Sequence, residues 1–151
     1  MSTENRILFY SSSENSFFDD FRRYGEIQEF LDKKLKENKA IVSVSSIGKS
    51  VEGRPIMCIK IGENLGSDKK QVIYIDGGMH AREWAAVSTT LYIIEHLIDD
   101  YNNGDKDVKS LLKTFDFFIV PVVNPDGYEY SHTKVSLTEI KIIFLSVFII
   151  L

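Results

Sequence analysis

The chain has 151 residues, a formal net charge of −4 and 44% hydrophobic residues. That length supports one domain with a real core, and the mild negative charge argues against nucleic acid, which selects a basic footprint. The single cysteine, Cys58, excludes an internal disulfide, and the stretch after Met1 contains no apolar run of the kind a secretory signal requires.

Residues 1–15 read as an N-terminal extension. Between Tyr24 and Asn38, the residues Ile27, Phe30, Leu31 and Leu35 fall on one face of a helix. Ala40 to Ile47 and Ile56 to Ile61 read as two strands, and Gly48, Ser50 and Gly53 between them suit a hairpin loop. Cys58 then sits in an apolar strand as a small core residue. Val72 to Ile75 is a short buried strand, left through Asp76-Gly77-Gly78. Glu83 to Tyr101 carries Val87, Leu91, Ile94, Leu97, Ile98 and Tyr101 at helical spacing, and Asn102-Asn103-Gly104-Asp105 ends it. Val108 to Leu112 is a short helix and Phe115 to Val123 a strongly apolar strand. Asn124-Pro125-Asp126-Gly127 has the chemistry of a turn. Strand–helix–strand order with near-continuous apolar strands predicts an α/β fold, with a mixed, partly parallel sheet flanked by helices.

The chemistry concentrates at Gly77-Gly78-Met79-His80-Ala81-Arg82-Glu83-Trp84. An imidazole and a carboxylate three residues apart are able to converge on one metal ion from the first turn of a helix. Zinc accepts such nitrogen and oxygen donors, and a catalytic zinc site takes three protein ligands and keeps one position open. The bland alternative is a surface histidine beside a glutamate favoured by the helix dipole. The location weighs against it, because open α/β sheets gather their sites beyond the carboxyl ends of strands.

Four segments in order then resemble one family. Asp76 to Trp84 is similar to the first zinc-binding motif of the zinc carboxypeptidases of the carboxypeptidase A type. Pro121-Val122-Val123-Asn124-Pro125-Asp126-Gly127-Tyr128 resembles their strand-end Asn-Pro-Asp-Gly-aromatic motif. Ser46 to Ile56 resembles their first hairpin, and Phe17 to Tyr24 the start of their catalytic domain. The resemblance covers about residues 16–133, so residues 16–134 are expected to form the N-terminal half of a catalytic domain built on an eight-stranded mixed sheet.

The resemblance implies a zinc-dependent metallocarboxypeptidase that removes C-terminal amino acids from peptides and proteins. It makes His80 and Glu83 zinc ligands and turns Arg82 to the substrate, where its fork of donors suits a carbonyl or carboxylate. A solvated loop arginine is the alternative for Arg82. Trp84 and the Asn124-Pro125-Asp126-Gly127 segment are expected to be structural. His96 lies thirteen residues beyond Glu83, well over a dozen ångströms along a helix at about 1.5 Å per residue, which excludes it from the same metal. His132 is given little weight as a ligand, because the family does not use the residue there on zinc. The third ligand, the general base, the oxyanion arginine and the carboxylate-binding residues of the family have no counterpart here. The expectation is therefore a truncated chain without activity of its own.

After Thr133 the sequence leaves the family pattern. Lys134-Val135-Ser136 is codable as a splice donor, and residues 135–151 form an apolar tail unlike the family, as translated intron would. Its run of about ten uninterrupted apolar residues is short of the roughly 20 that span a bilayer, so a membrane partner is disfavoured. A non-catalytic truncated isoform and a membrane-associated fragment remain the alternatives to the enzyme reading. The expected partners are peptide or protein C-termini, and extracellular location follows only by analogy with secreted relatives.

Overall fold

The computed structural model describes residues 16–133; the extension at 1–15 and the tail at 135–151 lie outside the described residues. Eight elements follow in order: α1 (Tyr24–Glu37), β1 (Val42–Lys49), β2 (Pro55–Ile61), β3 (Gln71–Asp76), α2 (Trp84–Asn102), α3 (Lys106–Thr114), β4 (Phe115–Val120) and α4 (Pro125–Thr133). The strands form one sheet in the order β1-β2-β4-β3. The first two pairings are antiparallel and β3–β4 is parallel, so the sheet is mixed, with helices flanking it.

Alternation along the strands decides which residues become core, because successive side chains point to opposite faces. Ile59, Ile61, Phe117, Ile119 and Ile75 all point to one face, where they meet Ile27 and Leu31 of α1, Ile94 and Ile98 of α2 and Leu112 of α3. Most of these are fully buried, and each such side chain contributes about 1.5–3 kcal/mol on leaving water. The other face carries Ser43, Ser45, Lys60, Phe118, Val72 and Tyr74, none of them buried, together with Cys58 and Val120, which are. There the Lys60 ammonium lies 4.3 Å from the centre of the Phe118 ring, a cation–π contact.

Two lysines enter the interior, each with partners. Lys34 pairs with Glu95 and lies 3.6 Å from Asp99, so the α1 face expected to be apolar includes a neutralised lysine. Lys70 is 2.5 Å from Asp116, with side chains only 7% and 3% exposed. Its ammonium also donates to the carbonyls of Glu63 (2.6 Å) and Leu112 (2.8 Å), while Asp116 accepts from the Gly66 amide at 2.9 Å. Two carbonyls and a carboxylate thus surround the ammonium, which offsets part of the cost of burying it.

Three expectations need correction. Phe115 to Val123 is not one strand: β4 ends at Val120, and Pro121 follows, which has no amide to donate. Asn124-Pro125-Asp126-Gly127 is not a free turn but the opening of α4. Asn124 caps it, its side-chain oxygen accepting from the Gly127 amide at 3.0 Å and its carbonyl from the Tyr128 amide at 2.9 Å. Proline fits the first helical position because that amide would be unpaired anyway, and the aspartate after it suits the dipole. Finally, α2 starts at Trp84, so Glu83 precedes the helix with ψ near 60°.

Candidate metal centre

Strands β3 and β4 run parallel and end side by side, with Asp76 opposite Val120. Their exits stay in contact. The Gly77 amide donates to the Val120 carbonyl at 3.0 Å, and the Val123 and Asn124 amides return to the Gly77 and Gly78 carbonyls at 2.9 and 3.2 Å. Gly78 holds φ at +66°, and a Cβ there would lie 2.9 Å from Val87 Cγ2. A side chain at this position would therefore meet both a disfavoured backbone conformation and a clash. Asp76 is buried at the end of β3, and burial raises its carboxyl above the usual range against a hydrogen bond from Tyr74.

From Gly78 the chain swings outward. Met79, His80 and Arg82 are exposed and Glu83 is half-buried. The Glu83 amide donates to the His80 carbonyl at 3.0 Å, closing a turn, and the Ala86 amide donates to the Glu83 carbonyl at 3.0 Å, opening α2. His80 and Glu83 thus bracket one hydrogen-bonded turn ahead of the helix, rather than sharing its first turn as the sequence predicts. Among the described residues neither side chain makes a hydrogen bond or ion pair. Arg82 stands between them on the turn.

The donors fit zinc in kind: one imidazole nitrogen and one carboxylate, held close in sequence by a closed turn and not consumed by the fold. They do not complete a site. Among the described residues no three His, Cys, Asp or Glu side chains group so as to hold a metal. His96 lies on α2, exposed, 3.7 Å from Asp100. His132 lies on α4 with its ring stacked on Trp84.

Helix α4 supports this turn from behind. Ser131 accepts from the Trp84 indole N–H at 2.9 Å, and its hydroxyl lies 3.0 Å from the Ala81 carbonyl. Gly127 brings α4 close enough that an added Cβ would lie 2.9 Å from Ala81 Cβ. Other α4 residues tie down the rest of the framework. Asp126 accepts from Ser50 Oγ (2.7 Å), the Glu52 amide (3.0 Å) and Arg54 (2.6 Å), which fixes the β1–β2 hairpin. Glu129 pairs with Arg23 and accepts from the Tyr24 amide at 2.8 Å, and the Tyr128 hydroxyl donates to the Arg22 carbonyl at 2.7 Å, which fixes the start of α1. Burial alone would raise the Asp126 carboxyl, yet these three donors hold it below its usual range. The Arg23 bond holds Glu129 low as well.

Sequence reasoning missed Ser131 and His132 as supports. Their signal was present: Tyr128, Ser131 and His132 share one helical face at i, i+3 and i+4. Reading Asn124 to Gly127 as a turn hid the helix that gives the spacing its meaning.

A family profile described as zinc carboxypeptidase matches residues 27–141. Carboxypeptidase B of Helicoverpa zea is 39% identical over 118 residues, 78% of this chain and 26% of that protein. The inactive metallocarboxypeptidase ECM14 of Saccharomyces cerevisiae is 36% identical over 117 residues, 76% of this chain and 27% of its own length. The crystal structure of carboxypeptidase A from Helicoverpa armigera superposes with a TM-score of 0.70 at 35% identity, over 77% of this chain and 27% of that one. The chain spans about a fifth to a third of the length of the curated relatives it matches.

Proposed function

The chain belongs to the zinc carboxypeptidase family, and from that premise we propose that its β3–α2 connection is the first half of a zinc site for removing C-terminal residues from peptides and proteins. His80 and Glu83 are two of the zinc ligands, and Arg82 faces the substrate. The observation that carries this is the exposed, closed turn whose two donor side chains are engaged by nothing else among the described residues. Bound zinc supplies Lewis-acid chemistry.

The chain's own residues have definable tasks. The His80–Glu83 turn fixes the spacing of an imidazole and a carboxylate before any metal arrives, which lowers the ordering cost of binding. The Arg82 guanidinium offers a planar fork of donors to a carbonyl or carboxylate oxygen. The exit of β3, paired with that of β4, keeps the turn at the carboxyl end of the sheet. Among the described residues no three donors group around a metal, so this reading assigns hydrolysis to the full product rather than to residues 16–133.

A non-catalytic role is the second reading, supported by the resemblance to a relative named inactive. Sequencing the transcript across the codons for Thr133 to Ser136 and expressing its full product separates the two. The enzyme reading expects that product to release single C-terminal amino acids from peptides, with loss of release on chelation and in Glu83→Ala. A product that binds zinc and releases nothing from peptides with apolar, basic or acidic ends establishes the second reading.

A further inference from the structure

We propose that His132 is a positioning residue for the metal-bearing turn, acting through a stack on Trp84 that α4 presses against the start of α2. The inference rests on the zinc reading of His80 and Glu83 and adds a residue to it.

Trp84 follows Glu83 directly, so whatever fixes the indole fixes the peptide that carries the carboxylate. The indole is held on three sides. His132 lies parallel to it at 4.1 Å between ring centres and 6° between planes. Ser131 takes its N–H at 2.9 Å. Phe21 meets it edge-on at 5.6 Å. Tyr128 in turn meets the imidazole edge-on at 4.7 Å, so His132 is clamped between the fully buried Tyr128 and Trp84. Ser131 also reaches the Ala81 carbonyl, and adjacent α4 residues thus touch both ends of the segment from Ala81 to Trp84.

The imidazole is suited to a stacking task and poorly suited to a charge. Its Nε2 is buried and has no hydrogen-bond partner among the described residues. Burial, and then the Arg23 guanidinium at the start of α1, hold its pKa below the ordinary value. Glu129 on α4, Glu26 on α1 and Asp20 ahead of α1 act in the opposite direction without prevailing. The ring is therefore neutral at pH 7. The clamp is fully present above the imidazole's ordinary range and weakens as pH falls through the lowered folded value. Residues that hold ligand-bearing segments in register are known to matter for affinity.

The chain contains one tryptophan, which makes the clamp directly observable, since a protonated imidazole against an indole quenches its emission. The test compares wild type with His132→Phe, which keeps a flat ring and cannot titrate, and His132→Gln, which keeps polarity and loses the ring. Exchange of the Glu83 amide, the one bonded to the His80 carbonyl, is expected to rise about tenfold in His132→Gln and to stay near wild type in His132→Phe, as loss and rescue of a stack require. Zinc affinity should fall by about ten- to a hundredfold in His132→Gln alone. Equal exchange rates in all three proteins overturn the positioning role. Absence of zinc binding in all three sinks the metal reading and leaves amide exchange to judge the clamp. If His132→Gln fails to fold, the Trp84 emission of wild type and His132→Phe decides the matter. It should drop on acidification only in wild type, and identical profiles refute the stack.

Discussion

The connections that leave β3 and β4 begin as neighbours and end with opposite uses. After β4, nearly every polar group is consumed: Asn124 caps α4, Asp126 holds the hairpin, Glu129 holds α1 and the Tyr128 hydroxyl reaches the Arg22 carbonyl. After β3, the backbone is equally well bonded, but the His80 and Glu83 side chains are spent on nothing among the described residues. One connection is scaffold and the other is presented by it. A site needs groups the fold has not consumed, and it needs them beside groups the fold has consumed entirely, so that they hold still.

Perturbations should rank accordingly. Tyr128→Ala empties the place of a ring that is 1% exposed and is expected to cost about 3–5 kcal/mol by urea denaturation. A cost below half of that would mean α4 is not the scaffold described. Asn124→Ala removes a cap and should cost about 1 kcal/mol, while Asn124→Asp, which keeps the acceptor, should cost less. Acid should act on the same connection. Asp126 and Glu129 both have carboxyls held low in the folded state. Their contribution is complete above the ordinary carboxylate values of about 3.9 and 4.3 and is lost as pH falls through the lowered folded values. Thermal melts between pH 6 and pH 3 should show this loss, and the double variant Asp126→Asn, Glu129→Gln should be less stable at pH 6 and flatter across the range. At the bottom of the ranking, His80→Ala and Glu83→Ala should change stability by less than about 0.5 kcal/mol, as side chains that the fold does not engage do. A large loss at either position would show that the β3–α2 connection is scaffold too.

The sheet and most helices were legible because their signals are local and periodic: Ile94 and Ile98 mark the buried side of α2, and Ile59 and Ile61 that of β2. The short helix at Lys106–Thr114 was legible through its apolar spacing, and Asp105 caps it by accepting from the Asp107 and Val108 amides. The location of the candidate site was legible as well, since glycines, a histidine and a glutamate follow a buried strand. Helix α4 was not, because Asn-Pro-Asp-Gly is equally good chemistry for a turn and for a capped helix start, and only the contacts of Tyr128 and Glu129 with residues more than a hundred positions away decide between them. The Lys70–Asp116 pair was invisible for the same reason. The misplacement of Glu83 onto the helix was a matter of one residue, yet it changes the chemistry: the carboxylate belongs to the turn that carries His80.

Zinc titration of the chain by calorimetry at neutral pH, with His80→Ala and Glu83→Ala run beside wild type, tests the central claim most directly. The account predicts that wild type binds one zinc ion and that both variants, folded as well as wild type by thermal melt, do not. Zinc binding that survives both substitutions, or a wild type that binds none, would contradict it.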